Sequence, residues 1–299
     1  MPTNAESVSR PASARRNLPR SRRHTTANRF PMAKGPGRYN RSLMLTRLAA
    51  LLCVAVLSAI APVRGTVPRP LTPILVELFT SEGCSSCPPA DAFLQRLIDA
   101  QPIPDVQVIG IGHHVTYWDH QGWRDRFSSE TLTDRQRQYG SALHVADIFT
   151  PQMIVDGRSQ FVGSDAKAGV KAIEEAASRP HGTMVIVLEP AAVGRVAVSL
   201  TAAGLPSLSR SNRADMVVAV TEDGLTSNVR AGENSGRTLA HAAVVRRLTT
   251  VGEALGEQAS ARTEVALDRE WRRERLKIVA FVQERSSRRV LGAGVAVLR

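Results

Sequence analysis

The chain has 299 residues, enough for two domains of about 150 residues each, and a formal charge of +12. Residues 1–47 carry eleven of its 39 lysines and arginines and one of its 27 acidic residues, so the basic excess belongs to a leader and the remainder is nearly neutral. No basic stripe or nucleic-acid-binding motif accompanies that charge, which argues against nucleic acid as a partner.

The leader spans residues 1–65. After Arg47 comes Leu48 to Val63, sixteen residues without a charge and rich in Leu, Ala and Val. That run is short for a spanning helix, which needs roughly 20 apolar residues, and suits the core of a signal peptide. Ala59-Ile60-Ala61 resembles a cleavage site, with cleavage near Gly65 or retention as an uncleaved N-terminal anchor as alternatives. Met32 and Met44 are alternative starts. The expected location is periplasmic or secreted. Cys53 lies inside the apolar core, so the exported chain would keep two of its three cysteines, Cys84 and Cys87.

The first strand is expected over Ile74–Thr80. Cys84-Ser85-Ser86-Cys87 follows, and then a helix from Pro88 to Ala100, with Phe93, Leu94, Leu97 and Ile98 at helical spacing. A helix N-terminus presents free N–H groups and partial positive charge, which stabilise a thiolate. A disulfide between positions three apart closes too small a loop to add much stability, so it suits redox cycling better than bracing. Cys84, at the exposed N-terminal edge of the helix, is the expected attacking thiolate, and Cys87, one turn in and more buried, the resolving one. Glu77, in the preceding strand, is either a buried carboxylate that moves the resolving cysteine's proton or a strand-end residue reaching solvent. Glu82 reads as a solvated loop residue.

Asp105–Val115 is an apolar run suited to a strand buried on both faces of a parallel sheet. His113 and His114 end it on opposite faces, so at most one looks toward Cys84. The two cysteines with His113 or His114 form an alternative Cu(I) or Zn(II) ligand set. Residues 116–148 read as a helical insertion. Five of the thirteen aromatic residues fall there, at Tyr117, Trp118, Trp123, Phe127 and Tyr139. They form either the core of the insertion or a shelf for a peptide, with Trp118 and Asp119 lining the groove. Thr133 and Gln136 make a capping box for a helix from Asp134 to Leu143, on which Asp134, Arg135 and Arg137 read as a solvated face.

Met153–Val155, the turn signal Asp156-Gly157 and Phe161-Val162 predict a hairpin. Ser164 would cap a helix over Asp165–Ala177. After a boundary near residue 180, short β-type runs at Met184–Leu188, Val196–Leu200, Met216–Val220, Ile278–Val282 and Val290–Leu298 predict a sandwich. Glu233, Asn234, Arg237 and His241 form a polar set there with a turn or domain-contact role.

The order β-α-β-β-α, with Cys-x-x-Cys at the first helix and Thr150-Pro151 before the third strand, resembles thioredoxin. That resemblance implies a cis-proline docking loop at Thr150 and Pro151. More narrowly, Glu77–Asp91, His114–Trp123, Thr150–Gly157 and Arg230–Arg237 resemble an uncharacterised family of exported bacterial proteins, domain of unknown function 1223.

The expected fold is therefore an α/β thioredoxin-like domain (70–180) with a helical insertion (116–148), followed by a smaller β-rich, sandwich-like domain (181–299). The expected function is an exported thiol–disulfide oxidoreductase. It acts on protein or peptide thiols and disulfides, with a membrane electron donor or acceptor as a further partner and no cofactor. Cys84, Cys87, Pro151 and Glu77 are the candidate catalytic residues, and Thr150, Trp118 and Asp119 the candidate substrate-binding ones. A periplasmic Cu(I) carrier and a non-catalytic binding module are the alternatives.

Overall fold

In the computed structural model, residues 70–206, 208 and 213–298 are described. The leader, its apolar run and Cys53 lie outside them. The first half supplies β1 (Thr72–Thr80), α1 (Pro88–Ala100), β2 (Val106–His114), a single 3-10 turn (Thr116–Trp118), α2 (Glu130–Ala142), β3 (Gln152–Val155), β4 (Ser159–Val162) and α3 (Ala166–Ala177). The second half is all strand apart from a 3-10 turn at Arg273–Arg275: β5 (Gly182–Pro190), β6 (Arg195–Ala203), β7 (Ala214–Glu222), β8 (Leu225–Asn228), β9 (Thr238–His241), β10 (Val244–Ala254), β11 (Gln258–Ala266), β12 (Leu276–Glu284) and β13 (Val290–Val297).

Contrary to expectation, these strands do not divide into a thioredoxin-like domain with a helical insertion and a separate sandwich. Eleven of them form one mixed sheet in the order β11-β6-β5-β13-β12-β7-β10-β2-β1-β3-β4, with β8 and β9 as a separate ribbon. The join is β10 against β2, parallel, in register at Val244 and Gly112. Gly112 N–H donates to Ala243 O at 2.9 Å. A Cβ on Gly112 would stand 2.8 Å from Ala242 O, so this approach of two backbones depends on the missing side chain. A sheet extended in this way leaves β2 no free edge, and the described residues fall in one compact unit.

Helices cover both faces of the first-half strands. Ile74, Val76 and Leu78 of β1 pack with Phe93, Leu94 and Leu97 of α1 and Ile173 of α3. The alternate residue Leu75 points the other way, into a cluster with Ile109, Ile111, Leu132 of α2 and Phe281 of β12. This period-two division of β1 and β2 decides which polar side chains can meet the cysteines.

Local starts and stops differ from expectation by a few residues. Ser129 rather than Thr133 caps α2, accepting from Leu132 N–H, and Asp165 rather than Ser164 caps α3, accepting from Ala168 N–H. The expected hairpin at Asp156-Gly157 forms, with φ of 49° and 63° at the two residues. Its tip docks on the second half of the chain, because Val290 N–H donates to Asp156 O at 2.9 Å.

Candidate functional site

Cys87 is the N-cap residue of α1, and Pro88 and Pro89 fill the first turn, where a missing N–H costs nothing. Cys84 and Cys87 are joined in a disulfide with Cα atoms 5.4 Å apart. Both cysteines are fully buried, whereas Ser85 and Ser86 between them are exposed. An exposed Cys84 was expected, so the attacking position lies deeper than the helix-edge argument implied.

The loop between β8 and β9 holds the backbone of the segment that carries Cys84. Asn234, fully buried, donates from Nδ2 to the carbonyls of Glu82 and Cys84, each at 2.9 Å. Glu233 Oε2 accepts from Ser85 N–H at 3.0 Å, and Arg237 holds Asn234 Oδ1 at 2.7 Å. The polar set at Glu233, Asn234 and Arg237 thus clamps the loop that carries the cysteines.

Trp118 closes another side. A Cβ on Gly83 would lie 3.0 Å from Trp118 Cβ, and Trp118 Nε1 donates to Thr150 Oγ1 at 2.7 Å. The Thr150–Pro151 bond is cis. Gly163 sits between Pro151 and Ala90 of α1, and its absent Cβ would be 3.3 and 3.1 Å from their Cβ atoms. Trp118, Thr150 and Pro151 therefore gather around the start of α1. Asp119, partly buried, accepts from Asp125 N–H (3.1 Å) and Ser128 Oγ (2.7 Å).

Glu77 is buried, but on the face of β1 opposite α1. Its carboxylate is held by Arg135 Nε (2.6 Å) and Nη2 (2.8 Å), by His113 Nε2 (2.7 Å) and by the Tyr139 hydroxyl. Burial alone would raise its pKa, yet Arg135 and His113 hold it far below the carboxylate range. Burial likewise pushes His113 below its ordinary value, with Glu77 partly offsetting this. Arg135 is 4% exposed and braces the sheet from beneath, so it is not part of a solvated helix face. Asp134 and Arg137 do remain exposed.

On the α1 side a second polar cluster gathers, which spacing alone did not reveal. His114 Nδ1 bonds Asp125 Oδ2 at 2.6 Å. The same oxygen accepts from Glu82 N–H at 2.9 Å. Glu82 is fully buried rather than solvated, and receives Trp123 Nε1 at 2.7 Å and His241 Nε2 at 3.2 Å. The rings of His114 and His241 meet edge-on, with centroids 4.8 Å apart. Asp91, in the first turn of α1, accepts from Thr80 Oγ1 at 2.9 Å. Burial raises its pKa, and the nearby imidazoles and Thr80 only partly offset this. For His114, burial lowers the pKa but Asp125 outweighs it and leaves it raised.

His113 and His114 therefore belong to different clusters on opposite faces, as strand alternation requires. With the sulfurs joined, neither cysteine offers a thiolate to a metal in this state. A sequence signal for the second cluster existed only in part: Asp91 falls one turn after Cys87, but nothing local marks Glu82, Asp125 or His241 as its companions.

Among solved structures, a protein from Agrobacterium tumefaciens is similar over 77% of this chain and 96% of its own, at 25% identity and a TM-score of 0.59. A domain of the outer membrane lipoprotein Omp28 from Porphyromonas gingivalis aligns over 40% of this chain and 89% of its own, at 17% identity and a TM-score of 0.27. No curated protein matches the sequence. Among the described residues, no helix is long and apolar enough to cross a membrane. A family model described as protein of unknown function (DUF1223) matches residues 75–283, about two thirds of the chain, and the chain belongs to that family.

Proposed function

We propose that the protein is an exported thiol–disulfide oxidoreductase that exchanges electrons with protein or peptide thiols through Cys84 and Cys87. The observation that carries this reading is a disulfide closed over two intervening residues at the N-terminus of α1. Such a bond constrains little of the unfolded chain, and its sulfurs lie where the helix end favours a thiolate.

The exchange runs in two steps. A substrate thiolate attacks Sγ of Cys84. The Cys84–Cys87 bond breaks, its electron pair leaves on Cys87, and a mixed disulfide joins substrate and Cys84. A second substrate thiolate attacks the substrate sulfur of that mixed disulfide and expels Cys84. Two substrate thiols have then lost two electrons and two protons, and the cysteine pair has gained them. A membrane-bound or soluble dithiol–disulfide partner restores the starting state, and the reverse sequence reduces a substrate. Because both sulfurs are buried, attack requires the cover at Glu233 and Asn234 to lift. Trp118, Thr150 and Pro151 border the opening, which supports a role in receiving the peptide.

Cys84→Ser tests the reading. It is expected to abolish dithiol exchange while leaving the circular dichroism spectrum and unfolding midpoint close to those of the reduced wild type. Retained exchange in a folded Cys84→Ser variant would overturn it. The direction of flow follows from the reduction potential of the pair: a value near about −270 mV marks a reductase and one near about −120 mV a disulfide donor.

A further inference from the structure

Five ionisable side chains with opposite charge preferences are buried together where the ends of β2 and β9 meet the first turn of α1. One donor atom each from Asp91, His114 and His241 lies within 4.8 Å of the other two. The three residues are 7%, 1% and 3% exposed.

The hydrogen bonds decide which atoms face the gap. Nδ1 of His114 is taken by Asp125 and Nε2 of His241 by Glu82. The ring nitrogens left to serve as ligands are Nε2 of His114 and Nδ1 of His241. His241 Nδ1 is buried with no hydrogen-bond partner. Stranding such an atom carries a desolvation cost, which an occupant of the gap would recover. A carboxylate behind each imidazole is the arrangement that fixes the tautomer of a metal-ligating histidine and raises its basicity. Charge points the same way. Among the described residues, Asp125 and Glu82 pair with imidazoles, and no lysine or arginine forms an ion pair with Asp91, Glu82 or Asp125.

We propose that Asp91, His114 and His241 bind one divalent transition-metal ion, with Asp125 and Glu82 orienting the two imidazoles. Two imidazoles and a carboxylate suit zinc or ferrous iron, and three protein ligands leave a coordination position for water or a substrate atom. Donor atoms around a tetrahedral zinc, each about 2.1 Å from it, lie about 3.4 Å apart. A pair at the 4.8 Å limit would therefore close by about 1.4 Å on binding. The site uses no sulfur, so it stands or falls independently of the redox reading. It also differs from a ligand set made of the cysteines with His113 or His114.

The test is zinc binding to the oxidised full-length chain, refolded from urea with and without the metal and then dialysed. One zinc per chain is expected in the wild type and in the Cys84→Ser/Cys87→Ser double variant, and His113→Gln should bind equally well. His241→Ala and Asp91→Asn should weaken binding at least a hundredfold, and Glu82→Gln by about 10- to 100-fold. Cobalt(II) on the wild type supplies a readout that needs no variant to fold. Visible bands of low coordination number, without a sulfur charge-transfer band, are expected. A wild type that takes up no zinc, a cobalt spectrum of the free hydrated ion, binding that survives in folded His241→Ala, or binding lost in the double cysteine variant would each overturn the proposal.

Discussion

Asn234→Ala tests whether the loop between β8 and β9 gates the disulfide. The amide donates two buried hydrogen bonds, to the carbonyls of Glu82 and Cys84, and both are lost on truncation. Each contributes about 1 kcal/mol net, so the closed loop loses about 2 kcal/mol relative to an open state in which water reaches both carbonyls. Every 1.4 kcal/mol is a factor of ten, so the open population should rise about 30-fold. If a thiol reaches Cys84 only in that open state, the rate of disulfide reduction rises by the same factor. The assay is reduction by dithiothreitol under native conditions, quenched at intervals and read as labelled thiols by mass spectrometry. Small additions of urea separate local from global opening. A loop movement exposes little surface and leaves the rate nearly flat in urea, whereas global unfolding makes it climb steeply. A rate within twofold of wild type, or one that follows global unfolding in both proteins, would refute the gating argument.

Two further outcomes test the frame that holds the site. Arg135→Ala strands the buried Glu77 carboxylate and should cost about 3–5 kcal/mol in urea unfolding, whereas the exposed Arg137→Ala should leave the midpoint nearly unchanged. Because the folded-state pKa of Glu77 is depressed, its stabilisation is complete above its ordinary value of 4.5 and drains away as pH falls below that. Glu77→Gln should flatten that acid limb of the stability profile, and an unchanged limb would count against the assignment. Gly157→Ala should destabilise by more than about 2 kcal/mol: φ there is 63°, and an added Cβ would lie 1.9 Å from Arg288 O. A midpoint in urea unchanged from wild type would contradict the docking of the β3–β4 turn on the second half.

Local chemistry was readable where one short segment carries all the information. The strand before the cysteines, the prolines opening α1, the paired Asp156-Gly157 turn and the opposite faces of His113 and His114 each follow from a few adjacent residues and a period. Sheet order is a different kind of quantity. The contact that merges the two halves is one register pair between β2 and β10, Val244 with Gly112. Neither strand carries a mark of its partner, because alternating apolar residues pack equally well in a sandwich or as an extension of an existing sheet. Gly112 was the available hint, since a glycine inside an apolar strand often marks a close backbone approach. Arg135 shows the same limit on a helix. Its neighbours Asp134 and Arg137 are solvated, and only the buried Glu77 opposite makes an interior arginine tolerable.

The site itself illustrates why polar clusters are harder to read than apolar cores. An apolar residue needs only an inside, and periodicity reports which side that is. A buried carboxylate or imidazole needs a particular partner, and here those partners come from distant parts of the chain. Glu82 meets His241 across 159 positions, and Asn234 reaches Cys84 across 150. The sequence exposes each as an isolated polar residue, for which a solvated surface is the ordinary fate. Once folded, burial reverses the inference. Glu82, Asp125, His114 and His241 would each be costly alone, and they persist together because hydrogen bonds link them in a chain, while Asp91 beside them is held by Thr80. Asp91 lies on the helix that begins at Cys87, while Glu82 and Asn234 hold the loop that carries Cys84. The disulfide and the buried histidines thus share a helix start and a clamped loop, although the cluster itself uses no sulfur.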